Sequence, residues 1–131
     1  MAIVGELTRL TRFLAVGVLN TGIGLGVIYA CKYFGQINDA PANAIGYCVA
    51  IANSFVWNRR WTFAHTGKIL PAAGRFFGVF CFAYGANLAT ALILIGTFGI
   101  NSYLAHAMGA VPYTVLFYLG SRFFVFIWQP D

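Results

Sequence analysis

The run Arg12-Phe13-Leu14-Ala15-Val16-Gly17-Val18-Leu19-Asn20-Thr21-Gly22 returns 63 positions later as Arg75-Phe76-Phe77-Gly78-Val79-Phe80-Cys81-Phe82-Ala83-Tyr84-Gly85. The correspondence continues without a gap. Ile37-Asn38 falls on Ile100-Asn101, Ala42, Ala44 and Gly46 on Ala105, Ala107 and Gly109, and Arg59 and Phe63 on Arg122 and Phe126. A shared apolar bias produces scattered Leu or Ala coincidences, but not Arg, Asn and Gly in register from end to end, so the chain reads as two homologous units. The units run about 12–63 and 75–126 within one domain of 131 residues.

Composition says what each unit is. The chain is 60% hydrophobic and 8% charged, against roughly 25% charged in a soluble domain. Apolar stretches at 13–34, 41–57, 76–98 and 102–121 are each of the order of 20 residues, the length that crosses a hydrocarbon core of about 30 Å as a helix. The predicted fold is an all-α integral membrane protein with four transmembrane helices, built from two helical-hairpin repeats of parallel topology. An even number of spans per unit gives both units the same orientation, as in repeats related by an axis along the membrane normal.

The cations set the expected orientation. Arg9 and Arg12 precede the first span, Arg59, Arg60, Lys68 and Arg75 lie between the second and third, and Arg122 closes the fourth. All fall on one side, which the inside-positive bias makes cytoplasmic, so both termini are expected there. Lys32 alone stands on the other side, with the short turns 35–40 and 99–101. Asp39 and Ser102 are the expected N-caps after those turns, and Thr66-Gly67-Lys68 and Pro71 are expected to break the cytoplasmic connection. Trp57, Trp61, Trp128, Phe63 and Phe126 sit beside the arginines, at headgroup level. The first apolar stretch is too long for a signal peptide and is expected to be retained.

Several chemistries are not supported. Cations confined to span ends are not a nucleic-acid footprint. Cys31, Cys48 and Cys81 are isolated within spans, without disulfide or metal-ligand spacing. Glu6, Asp39 and Asp131 are the only carboxylates and lie near ends or turns, so no catalytic constellation, metal site or cofactor site can be assembled. Without a nucleotide-binding loop or an intramembrane carboxylate, any transport is expected to be passive.

What remains is polar chemistry inside hydrocarbon. Asn20 and Asn87 lie mid-span in helices one and three, Asn53 and Ser54 in helix two, and Asn43 and His106 at equivalent outer positions. Such amides serve either as interhelical glue or as ligand contacts. Gly22, Gly24 and Gly26 form a small-residue face suited to close helix packing within a subunit or across a dimer, and Pro112 is expected to weaken or kink helix four. The arginines are more specific. Arg59 and Arg60 follow Asn58 and precede Trp61-Thr62-Phe63, and Arg122 returns at the same place in the second unit. A planar guanidinium holds phosphate through two parallel hydrogen bonds, which lysine cannot do. The expected headgroup site is therefore Arg59, Arg60 and Arg122, joined by Arg12 and Arg75.

These residues carry a resemblance. Arg12-Phe13-Leu14 with Val16-Gly17 and Asn20-Thr21, Ala52-Asn53-Ser54-Phe55, Asn58-Arg59-Arg60-Trp61-Thr62-Phe63, Arg75-Phe76 and Arg122-Phe123 with Val125-Phe126 together resemble the GtrA-like family over about 11–128. The second unit departs from the pattern, with Gly120-Ser121-Arg122 in place of an Asn-x-x-x-Asn-Arg ending. The resemblance implies translocation of a polyprenyl-phosphate-linked monosaccharide from the cytoplasmic to the outer leaflet of the bacterial inner membrane, for glycosylation of surface polysaccharide. It implies a membrane-bound glycosyltransferase partner that makes the lipid-linked sugar. Arg59, Arg60 and Arg122 would then capture the phosphate, and Asn20, Asn53, Asn58, Asn87 and His106 would line the sugar's polar path. Four short helices enclose little space, so a homo-oligomer is expected. Two other readings stand beside this one: an adaptor that recruits the glycosyltransferase, and a small multidrug-type exporter, a class whose first-helix glutamate this chain lacks.

Overall fold

The computed structural model describes residues 1–127. The described chain is helical throughout and divides into two compact units, Met1–Thr66 and Gly67–Asp131. Trp128 lies outside the described residues.

Unit 1 is a hairpin of α1 (Ala2–Tyr33) and α2 (Asp39–Trp57), and α2 runs directly into a π-helical turn, Asn58–Thr62. Unit 2 repeats this with α3 (Ile69–Phe98), α4 (Ser102–Gly120) and a π turn, Ser121–Val125. The bounds of α2 and its π turn map onto those of α4 and its π turn under the same 63-residue shift. α1 and α3 are long and apolar enough to cross a membrane by length and composition. α2 and α4, with 19 residues each, are about 28 Å long at 1.5 Å per residue, matched to the hydrocarbon core.

The helices of each hairpin approach closely because one stripe of α2 and α4 is small. Buried positions recur every fourth residue: Ala42 and Gly46, then Ser54, Asn58 and Thr62 in unit 1; Ala105 and Gly109, then Phe117, Ser121 and Val125 in unit 2. Residues four apart share a helix face, and small ones let backbones meet. A Cβ on Gly46 would lie 2.9 Å from the Gly24 carbonyl oxygen, and one on Gly109 would lie 2.8 Å from that of Asn87. Gly22 and Gly26 have nothing within 4 Å of such a Cβ, so only Gly24 of the predicted small face packs within the hairpin.

The outer turns close alike. Ile37 N–H donates to the Cys31 carbonyl and Ile100 N–H to that of Leu94, both at 3.1 Å, the six-residue closure that needs a left-handed residue before it. Gly99 supplies it at φ 63°; Gln36, its counterpart, adopts φ 50° despite its side chain.

Two local expectations are corrected. The N-caps are Asn38 and Asn101, one residue before Asp39 and Ser102; both are extended, and the Asn101 side chain accepts from Tyr103 N–H at 2.9 Å. α3 begins at Ile69, ahead of Pro71, because a proline in the first turn removes an N–H that has no intrahelical partner. Pro112 lies inside α4, which runs from Ser102 to Gly120.

Candidate functional site

Each hairpin brings its arginines to one end. In unit 1, Arg12 enters on α1 and the π turn carries Arg59 and Arg60 beside it. Arg12 Nη1 donates to the Trp61 carbonyl at 3.0 Å, and its guanidinium lies 5.4 Å from the Trp61 ring centroid. In unit 2, Arg75 Nη2 reaches the Val125 carbonyl at 3.5 Å, at the end of the turn that carries Arg122. The guanidinium of Arg122 lies 5.2 Å from the Phe123 ring centroid.

The π turn explains why a carbonyl is available to Arg12. Phe63 N–H bonds to Asn58 and Phe126 N–H to Ser121, both at 2.9 Å and both five residues back. Such wide turns are rare and recur at functional sites. In unit 1 the exit is closed by His65 N–H on the Arg59 carbonyl at 2.8 Å, with Ala64 left-handed at φ 47°. His65 N–H would serve Trp61 in a continuing α-helix; turned instead to Arg59, it leaves the Trp61 oxygen to the guanidinium of Arg12. Arg12 and Arg75 thus tie the helix entering each hairpin to the turn leaving it.

Beneath the turn of unit 1 lies a buried polar spine. Asn58 Nδ2 donates to Ser54 Oγ at 3.1 Å, and Thr62 Oγ1 donates to Asn58 Oδ1 at 2.8 Å. Asn58 is 1% exposed, and both ends of its amide are engaged within α2 and the turn. One helical turn towards the outer end, Asn53 Nδ2 donates to Asn20 Oδ1 at 2.6 Å, joining α2 to α1. In unit 2 the equivalent positions are Phe117, Ser121 and Val125 on the stripe, and Ala83 and Leu116 at the amide pair. An aromatic cluster fills that space, with Phe76 5.0 Å from Phe117 and 5.8 Å from Phe126, and Tyr113 5.5 Å from Phe117. Ser121 Oγ is buried there without a hydrogen-bond partner.

The remaining predicted residues are dispersed. Asn87 sits against Gly109, half-exposed in the hairpin. His106 is exposed near the start of α4, about 24 Å along the helix from Arg122 at 1.5 Å per residue. At the outer end of unit 1, Lys32 Nζ pairs with Asp39 Oδ1 at 2.6 Å. Glu6 pairs with Arg9 at 2.5 Å, so both described carboxylates are engaged by cations.

Sequence reading missed the π turns and the spine. Ser54, Asn58 and Thr62 at four-residue spacing were the available signal, since such spacing stacks side chains along one helix face.

Two hairpins of apolar helices, each gathering arginines at one end, define the class: an all-α membrane protein. The chain belongs to the GtrA/DPMS transmembrane-domain family, whose model matches residues 12–126. Among curated relatives, it is 43% identical over 61 residues to the uncharacterised membrane protein YngA of Bacillus subtilis (strain 168), covering 44% of this chain and 38% of that protein. It is 39% identical over 59 residues to the bactoprenol-linked glucose translocase of Salmonella phage P22, covering 45% of this chain and 49% of that one. The bactoprenol-linked glucose translocase of Shigella flexneri is 26% identical over 114 residues, 87% of this chain and 88% of its own length. The chain thus spans less than half the length of the first two relatives and most of the third.

Proposed function

We propose that this protein translocates a polyprenyl-phosphate-linked monosaccharide from the cytoplasmic to the outer leaflet of a bacterial inner membrane. The observation that carries the reading is the arginine end of each hairpin, in a chain whose relatives include bactoprenol-linked glucose translocases. The substrate has a phosphate for guanidinium, a hydroxylated sugar for amides, and a lipid tail that stays in hydrocarbon throughout, so only the headgroup must cross. Arg59 and Arg60 hold the phosphate in unit 1 and Arg122 in unit 2, while Arg12 and Arg75 hold the turns in place and lend their charge. Asn58 supports the turn from beneath through Ser54 and Thr62. In unit 2, Asn87 offers an amide deeper than the arginines and His106 stands at the outer end, while in unit 1 Asn20 and Asn53 bond to each other.

Membrane orientation follows from charge. Lys32 pairs with Asp39 at the other end of unit 1, and the clustering of Arg9, Arg12, Arg59, Arg60, Lys68, Arg75 and Arg122 at the opposite span ends supports a cytoplasmic position for those ends and both termini. The two repeats, 12–63 and 75–126, work as one domain. A glycosyltransferase on the cytoplasmic side supplies the lipid, consumption of the sugar outside gives direction to a passive exchange, and the working unit is a homo-oligomer.

The test is reconstitution. Vesicles containing the protein and labelled polyprenyl phosphate glucose should deliver label to the opposite leaflet faster than protein-free vesicles. Equal rates would exclude translocation. Equal rates together with stable co-purification of a glycosyltransferase would instead establish the adaptor role.

A further inference from the structure

We infer that Asn87 is the side chain of unit 2 that hydrogen-bonds the sugar in transit, whereas the Asn20–Asn53 pair is committed to holding hairpin 1 closed. This inference rests on the lipid-linked-sugar reading above.

The argument begins at the closest approach of the helices. Gly24 faces Gly46 in unit 1, and the 63-residue shift puts Asn87 opposite Gly109. The backbones come equally near in both units, as the 2.9 Å and 2.8 Å distances from the missing Cβ atoms to the facing carbonyl oxygens show. Unit 1 therefore fills the crossing with hydrogen alone, and unit 2 places a carboxamide there. The Asn87 Oδ1 lies 2.8 Å from where a Cβ of residue 109 would be, so the amide occupies this position only because residue 109 is glycine.

Hydrogen bonding separates this amide from the others. Asn20 and Asn53 bond to each other, and Asn58 bonds to Ser54 and Thr62. Asn87 makes no hydrogen bond among the described residues. One turn before and one turn after it, α3 presents buried Ala83 and Ala91, which offer nothing polar. A carboxamide has two N–H donors and a carbonyl acceptor, and leaving them unpaired in an apolar setting is costly. A sugar hydroxyl both donates and accepts, and satisfies both ends of one amide. Depth fixes the stage of transport. Asn87 lies about 18 Å along α3 from Arg75 at 1.5 Å per residue, well beyond a headgroup whose phosphate is still at the arginine end. The contact therefore belongs to the crossing and not to capture.

The experiment compares polyprenyl phosphate glucose with its mono-deoxy analogues in vesicles carrying the full chain, either wild type, Asn87→Leu, Asn87→Ala or Asn87→Ser. One amide–hydroxyl contact predicts that Leu and Ala slow the glucose lipid about tenfold at saturation, with the half-saturating concentration unchanged, and that Ser retains part of the rate. At least one deoxy analogue, slow with wild type, should be slowed no further by Asn87→Ala. If all lipids are slowed by one factor, or none is slowed, the inference is overturned. It is also overturned if Asn87→Ala dissociates an oligomer while sugar selectivity is kept, because the amide's partner is then another helix. Failure of the wild-type arm itself would instead overturn the translocation reading on which the inference rests.

Discussion

The two hairpins have one backbone and two interiors. The bounds of α2 and α4, their π turns, the close crossings at Gly46 and Gly109 and the six-residue outer closures coincide under a single shift. Yet the stripe beneath the arginines is Ser54, Asn58 and Thr62 in one unit and Phe117, Ser121 and Val125 in the other. The backbone is therefore specified by what the units share, namely small residues at the crossing, capping Asn residues and the tie from Arg12 or Arg75 to the turn. The layer between is free to be a hydrogen-bonded spine or an aromatic cluster, since both fill the space. Unit 1 carries Arg12, Arg59 and Arg60 over a polar spine, and unit 2 carries Arg75 and Arg122 over aromatic rings.

The largest stability effect should come from breaking the spine. Asn58→Leu leaves the Ser54 and Thr62 hydroxyls buried without their partner, each costing about 1–3 kcal/mol if nothing replaces it. Serine and threonine in helices can turn back to the carbonyl four residues earlier, so the net loss should be about 2 kcal/mol, read by thermal or denaturant unfolding in micelles. Ser121→Ala should show no comparable loss, because its buried hydroxyl has no partner to lose.

Next come the crossings. Gly46→Ala pushes a methyl to 2.4 Å from Ile28 Cγ1 and 2.9 Å from backbone, and overpacking of this kind costs about 1–3 kcal/mol. Gly22→Ala and Gly26→Ala meet nothing within 4 Å and should stabilise the isolated protomer slightly by raising helix propensity. A drop in oligomer mass with Gly22→Ala would show that this face packs between copies.

The smallest effect compares the outer turns. Gln36 adopts the left-handed conformation that Gly99 adopts without strain, at a cost of about 1–2 kcal/mol for a residue with a Cβ. Gln36→Gly should recover most of that and Gly99→Ala should lose a similar amount, both read as shifts in the unfolding midpoint.

Much of this was legible in the chain itself. The 63-residue repeat and the apolar run lengths predicted four helices, with ends near 57 and 98. They missed α1 reaching back to Ala2, because Thr8, Arg9 and Thr11 interrupt the apolar run while leaving helix geometry intact, with Arg9 supported by Glu6 three residues away. They also missed the π turns. A turn closed five residues back has no propensity signature, and the bond it permits joins Arg12 to a carbonyl 49 positions along the chain. At the candidate site, residue types were readable but partners were not. Asn20, Asn53, Asn58 and Asn87 look alike as amides in apolar runs, and only packing separates the bonded ones from Asn87.

The central claim is that equivalent arginines do unequal work, with the π turn of unit 1 as the principal phosphate site. Its most direct test is the initial rate of polyprenyl phosphate glucose translocation for Arg59→Lys beside Arg122→Lys, both keeping their charge. Loss of paired guanidinium hydrogen bonds should slow the first at least about tenfold and the second only a few-fold. Equal rates in both variants, or a larger loss with Arg122→Lys, would contradict the account.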